Sequence, residues 1–217
     1  MTVVAIDGPA GAGKSTVARR VASALGYRHL DTGAMYRAVA LAAIERGVHP
    51  EQTASLERLA ADLDLAIEGD TVVVEGRDVS RRVRQPDVTA AVSAYSAVPG
   101  VRALLVERQR ELAAQRDVVM EGRDIGTAVV PDAEIKIFLT ASIRERALRR
   151  LADQGADGAA TLAEHEASIA ARDEADATRA ASPFVRAPEA VVVDSTGKDV
   201  DDVVAELLAL VGERDRR

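Results

Sequence analysis

Residues 2–7 read TVVAID, an uninterrupted apolar run closed by a cluster of Gly and Pro, the pattern of a strand buried on both faces. Similar short runs recur at 28–30, 118–120, 135–139 and 190–193, and helical periodicity separates most of them. The first intervening helix is predicted over 14–25, with Val17, Val21 and Leu25 on one face. Buried strands alternating with helices predict an α/β fold, an open five-stranded parallel sheet covered on both sides. A last helix, 200–211, carries an apolar stripe at Val203, Val204, Leu207, Leu208 and Val211, and the GERDRR tail that follows reads as frayed.

Two stretches depart from this rhythm. Residues 63–83 alternate as exposed strands do, with Gly69-Asp70 as a tight turn between LAIE and TVVVE and Gly76-Arg77 as a second turn. A small antiparallel sheet is therefore expected inside an insertion spanning 36–99, with Val72 to Val74 in the hairpin core. A second insertion, 153–183, is rich in Ala, Asp, Glu and Arg, and its few large apolar residues, Leu162 and Ile169, anchor little core. It reads as a mobile helical flap. The segments 1–35, 100–152 and 184–217 then form the core.

Composition narrows the function. With 217 residues, 47% hydrophobic and 29% charged, the chain suits one globular unit with elaborations. A net charge of -7 argues against broad binding to nucleic acid or to an anionic membrane. The absence of cysteine excludes disulfides, thiolate metal sites and a thiol nucleophile. No apolar run reaches the roughly 18 residues that span a bilayer, and a soluble cytoplasmic protein is expected. Lys14, Lys136 and Lys198 are the only lysines, so the positive charge is nearly all arginine, the donor fork suited to bidentate phosphate contacts.

The segment Gly8-Pro9-Ala10-Gly11-Ala12-Gly13-Lys14-Ser15 fits GxxxxGK[ST], and it lies between a buried strand and a helix, where a phosphate-binding loop belongs. Glycines let successive N–H groups curl around phosphate oxygens, and the helix N-terminus adds partial positive charge. Lys14 reaches the β and γ phosphates, and Ser15 is the natural hydroxyl ligand for Mg²⁺. GTPase switches read guanine through an [NT]KxD motif; the chain has no asparagine and no Thr-Lys pair. A small chain with two insertions suits a kinase that closes over its acceptor.

On the acceptor side, Asp31 or Thr32 can cap a helix starting near Ala34. Arg37, one turn in, either points at an acceptor phosphate or is a solvated surface arginine. The tetrapeptide EGRD occurs at 75–78 and again at 121–124. The first copy ends an alternating strand and reads as a turn. The second follows the apolar VVM run, at the carboxyl end of a parallel strand, where open α/β sheets place ligands.

Taken together, IDGPAGAGKST, LDTGAMYR, EGRDVS, VSAYSAVPGVR, VVMEGRDIGTAVVPDAEIKIFLTAS, RDEADATRAASP and VVVDST resemble the bacterial cytidylate kinases, in order and almost end to end. The resemblance implies a P-loop nucleoside monophosphate kinase with a core, an acceptor-binding insertion and an arginine-bearing lid. It would transfer phosphate from ATP to CMP or dCMP with Mg²⁺, as a monomer.

By matching position, Gly8 through Ser15 and Thr16 would hold ATP, Arg37 and Arg123 would clamp the acceptor phosphate, and Thr32 would belong to the CMP-binding set. Ser93, Arg102 and Asp124 would face cytosine, Asp176 with Arg172 the ribose, and Arg179 the acceptor and transferred phosphoryl. Lys14, Arg123, Arg172 and Arg179 form the catalytic set. Glu121 matches an acid near the Mg²⁺ waters; a carboxylate paired with a nearby arginine is the alternative. Arg146 and Arg150 either reach ATP or lie on a solvated helix face, and the solvated face is favoured. Ala175 and Ala177 stand where some members carry extra arginines, so fewer charge pairs are expected in closure. His29, His49 and His165 show no ligand spacing and are taken as structural or surface residues. No general base is required, because a phosphate acceptor is already ionised.

Overall fold

The computed structural model describes residues 1–154 and 160–214. Its main sheet is wholly parallel: β1 (Val3–Asp7), β2 (Arg28–Asp31), β6 (Val118–Gly122), β7 (Ile135–Thr140) and β8 (Val191–Asp194), in the order β2-β6-β1-β7-β8. The predicted five strands are all present. Side chains alternate between two cores, which is why β1 and β6 are apolar up to the acids at their carboxyl ends. Val4, Ile6 and Val119 face α1 (Lys14–Leu25) and α8 (Val200–Arg214). Val3, Ala5, Val118 and Met120 face α2 (Thr32–Glu45) and α5 (Pro99–Ala113). The run at 190–193 differs from its prediction, because β8 is an edge strand and buries only Val193, leaving Val191 and Val192 more than two-fifths exposed.

The alternating stretch forms an antiparallel sheet of β3 (Leu65–Glu68), β4 (Thr71–Val74) and β5 (Arg77–Asp78). Leu65, Ile67, Val72 and Val74 point inward and continue the core that α2 and α5 share with the main sheet, so this hairpin stands on no core of its own. The second turn lies one residue earlier than predicted. Val74 pairs with Arg77, and the turn residues are Glu75 and Gly76, both at positive φ, as a type I′ connection requires. Helices α3 (Thr53–Asp62) and α4 (Pro86–Ser96) complete this region.

Helix α6 (Ile143–Gln154) leads towards α7 (Leu162–Thr178), which opens with a reciprocal Thr161–Glu164 capping box. Ile169 is buried, as the sparse apolar pattern allows, but the rest of the inner face of α7 is held by charge. Part of the predicted flap, 155–159, and the end of the predicted frayed tail lie outside the described residues. Helix α8 continues past 211 to Arg214. Among the described residues no single helix is long and apolar enough to cross a membrane.

Candidate active site

The carboxyl ends of β2, β6 and β1 are in register, with Asp31 beside Glu121, Glu121 beside Ile6 and Gly122 beside Asp7. Three acids and the phosphate loop therefore meet along one edge of the sheet, at the point where the strand order reverses. The loop runs from Gly8 to Gly13, where α1 begins. At Gly8 any Cβ would lie 2.0 Å from the Leu139 carbonyl oxygen, so only glycine lets the loop pass β7. Lys14 is buried and donates to the carbonyls of Gly8 at 2.8 Å and Pro9 at 2.7 Å. Burial, then the Arg123 guanidinium, hold its ammonium well below the usual lysine range. Thr16 is exposed on the first turn of α1.

Glu121 sits beneath the loop. One of its oxygens accepts from Ser15 Oγ at 2.8 Å, and the other meets His29 Nε2 at 3.0 Å. The arginine partner offered as its alternative is not what it takes. The imidazole of His29 is buried and orients this carboxylate, a contact that the isolated histidine in the sequence did not signal. Ser15 and Glu121 thus bring a hydroxyl and a carboxylate together, an all-oxygen set of the kind that holds Mg²⁺ jointly with waters and substrate phosphates.

Across the cleft, Asp31 caps α2 by accepting from the Ala34 N–H at 3.0 Å, and the helix starts at Thr32 rather than Ala34. Asp31 also accepts from Arg37 at 2.7 Å, so Arg37 is no solvated surface residue. Arg84, from the insertion, approaches the same oxygen at 3.4 Å. Although burial opposes ionisation, Arg37 and Arg84 hold Asp31 below the usual carboxylate range. Thr32 Oγ1 donates to the Glu121 carbonyl at 2.7 Å.

A continuous ionic network joins the second EGRD copy to the lid. Arg102 is buried over the Tyr36 ring and pairs with Asp124. Asp124 also faces Arg179 at 3.3 Å. Asp176 accepts from Arg123 Nε at 3.1 Å and from Ser93 Oγ at 3.4 Å, with Arg179 at 4.0 Å. Arg172 is half-buried, with its Nε enclosed and without a hydrogen-bond partner; desolvation first, then Arg123, lower it to about 10. Arg172 and Asp176 lie one turn apart on α7, Arg179 directly follows its last residue, and Ala175 and Ala177 are exposed. Arg172 feels the charges of both Arg123 and Arg37, and Arg102 and Arg179 share Asp124, so these arginines lie in one neighbourhood with Asp124 and Asp176 among them.

Three side chains at the site correct or extend the expectations. Arg146 is not solvated: it donates to the carbonyls of Ala141 and Ala10, each at 3.0 Å, and pairs with Asp173. Arg150 is half-buried and feels Arg37 and Arg123. Asp173, on the lid, accepts from the Ala10 N–H of the phosphate loop at 3.1 Å. Nothing local in the sequence distinguishes Asp173 from its acidic neighbours; its partner lies 163 residues away. His49 is exposed and His165 buried in α7, away from this cluster of acids.

The cytidylate kinase profile matches residues 4–213. The chain belongs to the cytidylate kinase family. A cytidylate kinase of Symbiobacterium thermophilum is 50% identical over 212 residues, covering 95% of this chain and 94% of its own length. One from Pelotomaculum thermopropionicum is 50% identical over 215 residues, covering 96% and 95%. Among solved structures, a gluconokinase from Sinorhizobium meliloti superposes with a TM-score of 0.51 at 15% identity, over 98% of this chain and 92% of that one. That likeness extends the cytidylate kinase fold, and no more, to a kinase of different name.

Proposed function

We propose that the protein transfers the terminal phosphoryl group of ATP, bound with Mg²⁺, to CMP and dCMP. The observation that carries this reading is the network Arg102–Asp124–Arg179–Asp176–Arg123 lying opposite Lys14 and the phosphate loop. Residues 8–16 bind the donor, with Mg²⁺ on Ser15 and, through water, on Glu121; the ion would neutralise phosphate charge. Arg37 and Arg123 hold the acceptor phosphate, and Thr32 belongs to the same acceptor-binding set. Cytosine offers an amine donor beside two acceptors, so Asp124 accepts from the amine while Arg102 and Ser93 donate. Uracil would turn a carbonyl towards that carboxylate. Asp176 and Arg172 attend the ribose.

Lys14, Arg123 and Arg172 are like charges held close to one another, and their mutual repulsion would be relieved by the anionic phosphoryl group in flight, with Arg179 completing the cationic set. Alignment and charge neutralisation are all the chemistry needs. The 36–99 insertion takes the acceptor and the 153–183 lid closes over both nucleotides. The protein works on free nucleotides as a cytoplasmic monomer, and its net charge of -7 favours no nucleic-acid or membrane partner. A coupled assay of ADP release with each nucleoside monophosphate tests the reading. Strong turnover of CMP and dCMP is expected, and preference for AMP or dTMP overturns it.

A further inference from the structure

We propose that Asp7 is a positioning residue which fixes the acceptor-facing loop to the phosphate loop, holding the backbone on which Arg123 and Asp124 stand. The inference rests on the proposed function only for the identity of the acceptor. Asp7 ends β1, one residue before Gly8, and its side chain is buried. Its two oxygens accept from consecutive amides, Ile125 N–H at 2.8 Å and Gly126 N–H at 2.8 Å. Residues Ile125–Val129 make a single π-helical turn directly after Asp124. The first amides of a helical turn have no partner within it. Here a carboxylate from a different strand supplies one, as a cap delivered across the sheet.

The packing keeps that approach close. A Cβ on Gly126 would lie 3.1 Å from Lys136 Cδ and 3.5 Å from Asp7 Oδ2, so a bare glycine brings its amide to the carboxylate under the stem of Lys136. Replacing the carboxylate by an amide leaves one acceptor and turns an NH₂ towards the second N–H, so only the acid satisfies both bonds. Its ionised form is costly to bury. Burial raises Asp7 to about 6 despite its two amide bonds; Asp124 from the loop adds repulsion, and Lys14 from α1 offsets part of it. A buried charge kept at that cost is explained by what it holds in place: the acceptor arginine and the base-facing acid, set at a fixed offset from the donor loop. Since reacting groups lose on the order of 100-fold in rate when misplaced by about 1 Å, such a tether matters to transfer.

The test compares wild type, Asp7→Asn, Arg123→Ala and the double variant, with whichever nucleoside monophosphate the wild type phosphorylates. Failure of the proposed function shows in the wild-type substrate panel, and failure of this inference shows in the variants. Asp7→Asn is expected to raise the acceptor KM by about tenfold or more. Affinity for a non-hydrolysable ATP analogue, measured at equilibrium, should not weaken, because a negative charge beside Lys14 has been removed. In the Arg123→Ala background the same substitution should cost less than it does alone, since the two act through one loop. Equal loss of ATP and acceptor binding, or losses that multiply in the double variant, would overturn the proposal. If Asp7→Asn does not fold, Asp7→Glu keeps the charge and displaces it by one methylene; an unchanged acceptor KM there would overturn it equally.

Discussion

At residues 75–78 the tetrapeptide EGRD turns a hairpin in water, and at 121–124 the same four residues end a central strand beside the phosphate loop. In the first copy Glu75 and Gly76 take positive φ, and a Cβ on Gly76 would meet nothing. Arg77 is 60% exposed and pairs with Glu45, while the Asp78 carboxylate accepts from the neighbouring Ser80. In the second copy Glu121 is buried against Ser15 and His29, and a Cβ on Gly122 would lie 2.7 Å from Ile125 Cδ1 and 2.8 Å from Thr32 Oγ1. Arg123 is 17% exposed and Asp124 6%, both inside the ionic network. Topology decides which copy of the motif is taken out of water: exposed ion pairs contribute little, and desolvated ones carry the perturbed charges from which a site can be built.

The comparison is broken most directly by truncating its two arginines. Arg123→Ala is expected to lower kcat/KM for CMP by roughly 100-fold, about 3 kcal/mol, through the loss of a donor to the phosphate. Equal losses from Arg123→Ala and Arg77→Ala would refute the contrast. The tether at Asp7 sharpens it, because the first copy has none. Folding raises the Asp7 pKa from 3.8 to about 6, so its ionised form opposes folding, and stability returns as pH falls through about 6 towards 3.8. Thermal unfolding of wild type and Asp7→Asn should show wild type gaining about 1.5 kcal/mol on the variant between pH 7.5 and pH 5. A pH-independent difference would mean that Asp7 titrates normally.

Asp176, which joins Arg123 to the lid, separates substrate reading from architecture. Asp176→Ala should lower the ratio of kcat/KM for CMP over dCMP by about tenfold, since only the ribonucleotide can donate a 2′-hydroxyl to it. Equal loss with both substrates would make it a lid residue alone. The smallest effect is expected at the exposed copy: Arg77→Ala should leave turnover within about twofold of wild type and the melting temperature unchanged.

The features legible in the sequence are those whose cause is local. Continuous apolar runs marked strands covered on both faces, glycine spacing marked the phosphate loop, and period-2 alternation marked the hairpin. The context of EGRD separated its two copies because a parallel strand's carboxyl end has a sequence signature. What was hidden depends on neighbours distant in the chain. His29 meets Glu121 across two strands, Arg146 turns inward to the Ala10 carbonyl, and Asp7 finds its amides 118 and 119 residues onward. A lid with few large apolar residues read as loosely attached, whereas Asp173, Asp176 and Arg179 bind it by ion pairs that no hydropathy pattern registers.

Asp173 gives the phosphate loop an anion of the protein's own. Its carboxylate takes the Ala10 N–H and the guanidinium of Arg146, which itself holds the Ala10 carbonyl. A phosphate oxygen arriving at that amide would meet a rival already seated there, and donor affinity would then be a difference between two anions rather than the full strength of the loop. Such an exchange would run in both directions: a departing nucleotide would leave behind an amide that Asp173 can satisfy again, so that this donor is never left unpaired.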